Sequence, residues 1–214
     1  MSTAETTKVT TNVTTEKKAK KVNVRNMTVT AMLSAVGFVL MFLDTAVPFM
    51  PSFIKLDLSE LPALIASFAL GPVYGVIVCL IKNLIHLLIT NTGGVGEISN
   101  FILGAAFVLP AGLIYHHKKT KKNAVIGAIV GAICMGLISF PSNLYVVYPI
   151  YYNFMPKEVI IEAYNVISPV NLTTIGQCLI FFNVPFTILK GMLSAIITIL
   201  IYQPLRPLLK GNNN

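Results

Sequence analysis

Long apolar runs dominate the chain, and their lengths match the thickness of a lipid bilayer. Five runs each approach the roughly 20 residues that a helix needs to cross the hydrocarbon core. They lie at about 27–47, 73–90, 98–116, 123–144 and 177–204. A sixth run, Leu61 to Leu70, is shorter and ends at Gly71-Pro72. The pattern therefore predicts at least five transmembrane helices and leaves the short run to be assigned from topology.

The distribution of charged residues shows whether the short run Leu61 to Leu70 crosses the membrane. Basic side chains cluster in the amino-terminal tail, in the loop 118–122 and at the end of the chain, as the positive-inside rule requires of cytoplasmic segments. An even number of crossings must separate the tail from that loop, so the short run must also cross. We predict an all-α integral membrane bundle of six transmembrane helices, with both N- and C-termini cytoplasmic. The outer connections are then about 48–60, 91–97 and 145–176.

Composition supports the membrane class. The chain is 55% hydrophobic and only 11% charged, whereas soluble domains carry roughly 25% charged residues. Its net charge of +8 does not indicate a nucleic-acid binder, because the basic residues flank the spans. Residues 1–26 have little apolar content, which predicts a disordered basic cytoplasmic tail. A transmembrane domain at 27–210 and a short tail at 211–214 complete the predicted organisation, which places the protein in a cell membrane.

Two lysines, Lys82 and Lys190, lie inside apolar runs. A charge at bilayer depth costs roughly 2.5–3.5 kcal/mol on insertion scales, so such residues usually face a cavity, a ligand or a partner group. For Lys82 two interpretations stay open, a ligand site or structural pairing with a nearby acid or carbonyl. Thr187 lies three residues before Lys190 and Asn183 four before Thr187, so the three side chains share one helical face.

Other polar and aromatic residues extend this picture towards an outer pocket. Asn143 is predicted near the outer end of the fifth helix, and Tyr145, Tyr148 or Phe49 could offer a ring face to a flat ligand. The last outer connection is rich in Tyr and Pro, and lid and aromatic belt are both open interpretations. Its segment 158–167 predicts a short amphipathic helix on the outer surface.

Two predicted helices each have a face lined by small residues at helical spacing. Ala31 and Ala35, with Ser34 and Gly37 nearby, form it in the first helix, and Gly127 with Gly131 form it in the fifth. Such faces permit close helix packing in lipid, either inside the bundle or against a partner. The sequence leaves both open.

No motif indicates catalysis or metal binding. The chain has no Walker A motif, zinc-ligand pattern or nucleophile elbow, and its three cysteines lie singly in apolar stretches. Lys82 with His86 is the only candidate pair for an intramembrane enzyme. We predict a binding or transport protein with no catalytic residues, no metal and no cofactor.

Several motifs, in order, resemble the riboflavin-specific S components of energy-coupling factor (ECF) transporters, from about Met27 to Lys210. They are 55–62 (KLDLSELP), Gly71-Pro72, 81–83 (IKN), 94–101 (GVGEISNF) and 185–191 (PFTILKG). The resemblance implies a subunit that binds riboflavin with high affinity from outside. It also implies partners: a transmembrane scaffold subunit and two cytoplasmic ATPases, in a lipid membrane and without nucleic acid.

The resemblance further implies which residues act. With the polar and aromatic candidates above, the predicted ligand-binding set is Leu56, Asp57, Glu97, Asn100, Asn143, Tyr148, Asn183, Thr187 and Lys190. Ala31 and Ala35 resemble the family's docking patch for the scaffold. Thr187 departs from the family pattern, in which many members carry Asn, so ligand preference can differ. The alternatives are another flavin (FMN), another vitamin, or a stand-alone small-molecule carrier.

Overall fold

The structure, a computed structural model, describes residues 24–90 and 93–210, and the side chains of the last helix as far as Tyr202. The predicted tails lie outside these residues, except that residues 24–26 form the start of the first helix. The disorder predicted for the rest of 1–26 and the tail predicted at 211–214 stay predictions.

Most of the described chain is helical. The helices are α1 (Val24–Met41), α2 (Glu60–Ala69), α3 (Pro72–His86, continued by a 3-10 turn at Leu87–Ile89), α4 (Val95–His117), α5 (Lys121–Tyr151), α6 (Lys157–Asn165) and α7 (Ile175–Cys178, Leu179–Asn183 and Val184–Lys210). The α1, α3, α4, α5 and α7 segments are long and apolar enough to cross a membrane, and α2 is a shorter apolar helix. The predicted all-α membrane bundle is confirmed.

The short helix α2 sits in the middle of this bundle. Its residues from Pro62 to Ala69 are all buried, as expected of a helix that is hydrophobic on every side. Ten residues rise only about 15 Å, roughly half the hydrocarbon core. The connection that precedes it also enters the bundle, because Asp57 and Ser59 are buried. This connection therefore brings acidic and polar groups into the protein interior.

A small hairpin shapes the first outer connection. Strand β1 (Thr45–Ala46) pairs antiparallel with β2 (Lys55–Leu56), with Thr45 opposite Leu56. An ion pair between Lys55 and Asp44, at 2.8 Å, braces the hairpin. The hairpin holds the segment that leads into Asp57 and α2.

Small residues have different roles in α1 and α5. A Cβ atom at Gly131 would lie 2.5 Å from the Phe107 carbonyl oxygen, so the glycines of α5 allow close internal packing on α4. In α1, Ser34 and Gly37 are buried in the bundle, whereas Ala31 and Ala35 are exposed. Internal packing therefore accounts for the glycine pair but not for the two alanines.

Helices α5 and α7 each contain a π-helical segment near the outer end of the bundle. In α5 a π-helical segment covers Asn143–Val147, and in α7 another covers Leu179–Asn183. Each closes with a bond to the carbonyl five residues earlier, and each is followed by a proline, Pro149 or Pro185. Because a proline ring clashes with the carbonyl four residues before it, a widened turn relieves the clash. Helix α5 thus continues to Tyr151, and its predicted end near residue 144 was wrong.

Candidate ligand-binding site

A cavity of about 470 Å³ lies at the end of the bundle away from the basic loop 118–122. It is enclosed by α3, α4, α5 and α7, by the end of α1, and by the connection that carries the hairpin. Its volume falls in the range of about 300–1,000 Å³ that is usual for small-molecule sites. By the charge rule this end faces outwards.

The structure brings most of the predicted site residues together around this cavity. Those that line it are Asp57, Glu97, Asn100, Asn143, Tyr148, Asn183, Thr187 and Lys190. Leu56 does not line it. It lies in β2 opposite Thr45, partly buried. The motif placed Leu56 beside Asp57, but adjacent residues of an extended segment point in opposite directions.

The aromatic lining differs from the prediction. Phe49 and Tyr145 are 78% and 74% exposed and lie outside the cavity lining, whereas Tyr148 lines it. Tyr145 follows Asn143 by two residues, which places it on the opposite side of α5. The aromatic residues missed from the sequence are Phe42, Phe53, Tyr151 and Phe186.

Helical spacing is a signal that could have found two of these. Tyr151 lies three residues after Tyr148, and Phe186 three after Asn183, so each shares a face with a residue already singled out. For Phe53, in an irregular connection, the sequence carries no such signal. Its ring lies 6.1 Å from that of Tyr151, centre to centre, so the first outer connection meets the outer end of α5 at the cavity.

A ring of buried charges lies beneath the cavity. Lys190 Nζ is 2.8 Å from Asp57 Oδ2 and 3.5 Å from Glu60 Oε2. Lys82 Nζ is 3.1 Å from the other oxygen of Glu60 and donates to Ser59 Oγ. The Ser59 backbone N–H donates to Asp57 Oδ1 at 2.9 Å, and the Ser59 hydroxyl contacts the same oxygen, which closes the ring.

The two lysines therefore have different positions. Lys190 lies at the cavity wall, where its ammonium group also donates to Asn100 Oδ1 at 3.4 Å. Lys82 is fully buried and lies outside the cavity lining. Of the two interpretations left open for Lys82, structural pairing with an acid is the one that the structure supports.

The ring keeps Asp57 ionised. Burial alone would raise the pKa of Asp57, but the positive charges of Lys190 and Lys82 and the hydrogen bonds from Lys190 and Ser59 outweigh it and hold that pKa well below its usual value. Two acids and two lysines balance in charge, which is how buried ions are tolerated. The cavity floor thus offers a lysine that is already paired.

A second polar pair lies higher in the cavity. His86 Nδ1 is 2.6 Å from Glu97 Oε1, and both residues line the cavity. Lys82 and His86, the one pair that the sequence offered for catalysis, thus bind different acids. Lys82 and His86 therefore do not form a reacting pair with each other.

The last outer connection packs on the bundle through α6. Ile160 and Tyr164 of this helix are buried, and the Tyr164 hydroxyl donates to Asn183 Oδ1 at 2.5 Å. Since that proton is used, the Tyr148 hydroxyl is the donor in its 2.6 Å contact with Tyr164. Burial and the neighbouring Tyr148 raise the pKa of Tyr164 well above its ordinary value, so its hydroxyl stays protonated. The inner face of α6 is a cap over cavity residues, whereas Tyr145 remains exposed as a belt residue would.

An apolar bundle with an outer cavity, lined by aromatic rings and by polar and charged side chains, defines a membrane protein that binds a small molecule. Comparison with known families makes this more specific. The family model described as "ECF transporter, substrate-specific component" matches residues 25–202. The chain therefore belongs to the substrate-specific components of ECF transporters, which are not enzymes.

Individual relatives agree with this assignment. The chain is 37% identical to the riboflavin transporter RibU of Staphylococcus aureus (strain TCH60), over 84% of this chain and 89% of that protein. It is 28% identical to the riboflavin transporter FmnP of Bacillus subtilis (strain 168), over 86% and 93%. A solved structure described as the S component of a bacterial ECF transporter aligns with a TM-score of 0.70 and 34% identity, over 87% of this chain and 98% of that one. The chain is thus similar to multi-pass bacterial membrane transporters.

Proposed function

We propose that this protein is the riboflavin-binding subunit of an ECF transporter, which captures the vitamin from outside with high affinity. The observation that carries the proposal is the cavity itself, which has aromatic rings at its mouth and amide, hydroxyl and ammonium groups on α4, α5 and α7. A flavin has a flat ring system with polar edges and a polyhydroxyl chain. The relatives RibU and FmnP are riboflavin transporters, which supports the same ligand.

The binding mode follows from the two kinds of wall. Phe53, Tyr151 and Tyr148 offer ring faces, and aromatic pairs contribute about 0.5–1.5 kcal/mol beyond the area they bury. Asn143 and Thr187 satisfy the polar edges of the ligand, where each unmet buried group would cost roughly 1–3 kcal/mol. Specificity comes mainly from these edges.

The charges of the cavity favour riboflavin over FMN. The two lysines of the described lining are each 2.8 Å from a carboxylate oxygen, Lys55 from Asp44 and Lys190 from Asp57, and Glu97 lies 2.6 Å from His86 Nδ1. A phosphate carries about −1.5 to −2 charges at neutral pH. It would have to break an existing pair to gain a cation, whereas uncharged riboflavin needs only a hydrogen bond from Lys190, which leaves the Lys190–Asp57 pair in place.

Delivery to the cytoplasm requires partners in this proposal, namely a membrane scaffold subunit and two ATPases. The support is the family description, a substrate-specific component, together with the exposed Ala31 and Ala35 on α1. Because alanine side chains are small, a partner helix can approach this face of α1 closely in lipid. The competing stand-alone carrier predicts uptake in cells that lack the scaffold and ATPases, and our proposal predicts none there.

A titration tests the ligand directly. Flavin fluorescence is followed as riboflavin is added to purified, detergent-solubilised, flavin-free protein, with FMN, thiamine and biotin as competitors. We expect saturable quenching at one site, competition by FMN at least tenfold weaker than riboflavin, and none by the other two vitamins. Absence of quenching by protein with an intact melting transition would contradict the flavin function, and FMN binding as tight as riboflavin would contradict the charge argument.

A further inference from the structure

Lys82 has no contact with the cavity, yet it belongs to the ring that ends at the cavity wall. Lys82 and Glu60 are 0% and 1% exposed, and neither lines the cavity. In the same ring, Asp57 and Lys190 do line it. Only the second pair can touch a ligand in the cavity, so the role of the first remains to be explained.

Glu60 is the shared member of the ring. Its Oε1 lies 3.1 Å from Lys82 Nζ, and its Oε2 lies 3.5 Å from Lys190 Nζ. Lys190 is closer to Asp57, at 2.8 Å, and also reaches Asn100 at 3.4 Å. Both lysines thus share one carboxylate through its two oxygens, and Lys82 is the closer of the two.

Removing Lys82 would change that sharing. Glu60 would lose its nearest cation, now at 3.1 Å, and Lys190 would be the remaining ring cation near it. Electrostatic attraction is strong where water is excluded, and a lysine stem has four flexible bonds. The ammonium group of Lys190 would therefore move towards Glu60 and away from Asn100 and the cavity wall.

We propose that Lys82 is a positioning residue for ligand binding: it neutralises Glu60 so that Lys190 stays on Asp57 and Asn100, facing the cavity. This inference rests on the proposed flavin function. The packing around Lys82 agrees with a preset position, because a Cβ atom at Gly37 would lie 3.3 Å from Lys82 Cδ. The glycine of α1 leaves room for the lysine stem there.

A charge-rescue experiment distinguishes positioning from packing. Riboflavin Kd values are measured by fluorescence quenching for wild type, Lys82→Met, and the double variant Lys82→Met with Glu60→Gln. Methionine keeps most of the volume of the lysine stem, and the double variant restores a balanced ring of Asp57 and Lys190. We expect Kd to rise at least tenfold in the single variant and to return to within threefold of wild type in the double variant.

Ser67→Ala is the matched control. Ser67 lies in α2, as Glu60 does, and its buried hydroxyl donates to the Val108 carbonyl oxygen at 2.7 Å, far along the helix from the ring. Its loss weakens the packing of α2 without touching the charges, so its Kd should equal that of wild type. A weakened Ser67→Ala variant would show that affinity follows the stability of α2 and would overturn the positioning role.

The remaining outcomes are equally decisive. If Lys82→Met does not fold, the charge-balanced double variant carries the test, and loss of binding by a folded double variant overturns the proposal. A folded single variant with wild-type Kd also overturns it. Wild-type protein that binds no riboflavin would instead refute the flavin function itself, and this role with it.

Discussion

Replacing Tyr164 with phenylalanine tests how the cap formed by α6 holds two cavity residues. Tyr164 lies outside the cavity lining, but its hydroxyl accepts from Tyr148 at 2.6 Å and donates to Asn183 at 2.5 Å. Phenylalanine keeps the ring and its packing. It leaves the Tyr148 hydroxyl and the Asn183 carbonyl oxygen both without this partner.

The expected magnitude follows from where those two groups lie. Because Tyr148 and Asn183 line the cavity, water can bond to both when no ligand is bound, so the folded protein loses little stability. A bound ligand displaces that water, and an unmet buried group then costs about 1–3 kcal/mol. Two groups at the low end cost about 2 kcal/mol, which is about 30-fold in Kd at 1.4 kcal/mol per tenfold change.

The assay is riboflavin titration of wild type, Tyr164→Phe and Tyr145→Phe. Tyr145 is the matched control, since its side chain is largely exposed and outside the cavity lining. We expect about a 30-fold rise in Kd for Tyr164→Phe and no change for the control. A Tyr164→Phe protein that binds within threefold of wild type would refute the reasoning that α6 acts on affinity through these hydrogen bonds.

Three further substitutions test other parts of the molecule. Lys190→Met leaves Asp57 and Glu60 with only one lysine, so we expect a loss of about 3–5 kcal/mol in stability, and a melting temperature equal to wild type would contradict the buried pairing. Leucine at both Ala31 and Ala35 should leave riboflavin Kd unchanged but stop uptake by the complete transporter, whereas serine at both positions should preserve uptake. Normal uptake by the leucine variant would show that this face of α1 is not part of the docking surface. In Gly112→Ala the new Cβ would lie 2.1 Å from Ser67 Oγ. Thermal melting should therefore show about 1–3 kcal/mol of destabilisation by overpacking, and riboflavin Kd should not change. An unchanged melting curve would show that the α2–α4 contact can relax.

The contrast between Lys82 and Lys190 shows what sequence patterns leave undecided. Both are single lysines in apolar runs, and insertion energetics marks both as residues that need a partner or a cavity. Their difference depends on Glu60, which the sequence places near the first outer connection. In the structure Glu60 starts α2 and is buried between the two lysines. Which lysine reached the cavity was therefore decided by tertiary packing.

The outer end of α5 shows a second limit. Hydropathy ends the predicted helix near residue 144, because Tyr145 and Pro149 suggest a connection. The helix instead continues through a π-helical segment, which turns Tyr148 towards the cavity and leaves Tyr145 exposed. A proline follows the π-helical segment by two residues in both α5 and α7, but Pro110 and Pro141 lie in regular α-helix, so proline alone does not predict such a turn. By contrast, the face shared by Asn183, Thr187 and Lys190 follows from helical spacing, and the structure places all three on the cavity.

The charged ring connects helix packing to ligand binding. Its lysines come from the middle of α3 and α7, and its acids come from the connection before α2 and from the first residue of α2. Each lysine alone would be costly in the bilayer, so α2 gains stability from the position that pairs both. A shift of α2 by one residue would turn Glu60 by about 100° and move it about 1.5 Å along the axis, which would break the pairs. The interactions that favour one register for α2 are therefore the same ones that place Lys190 at the cavity wall.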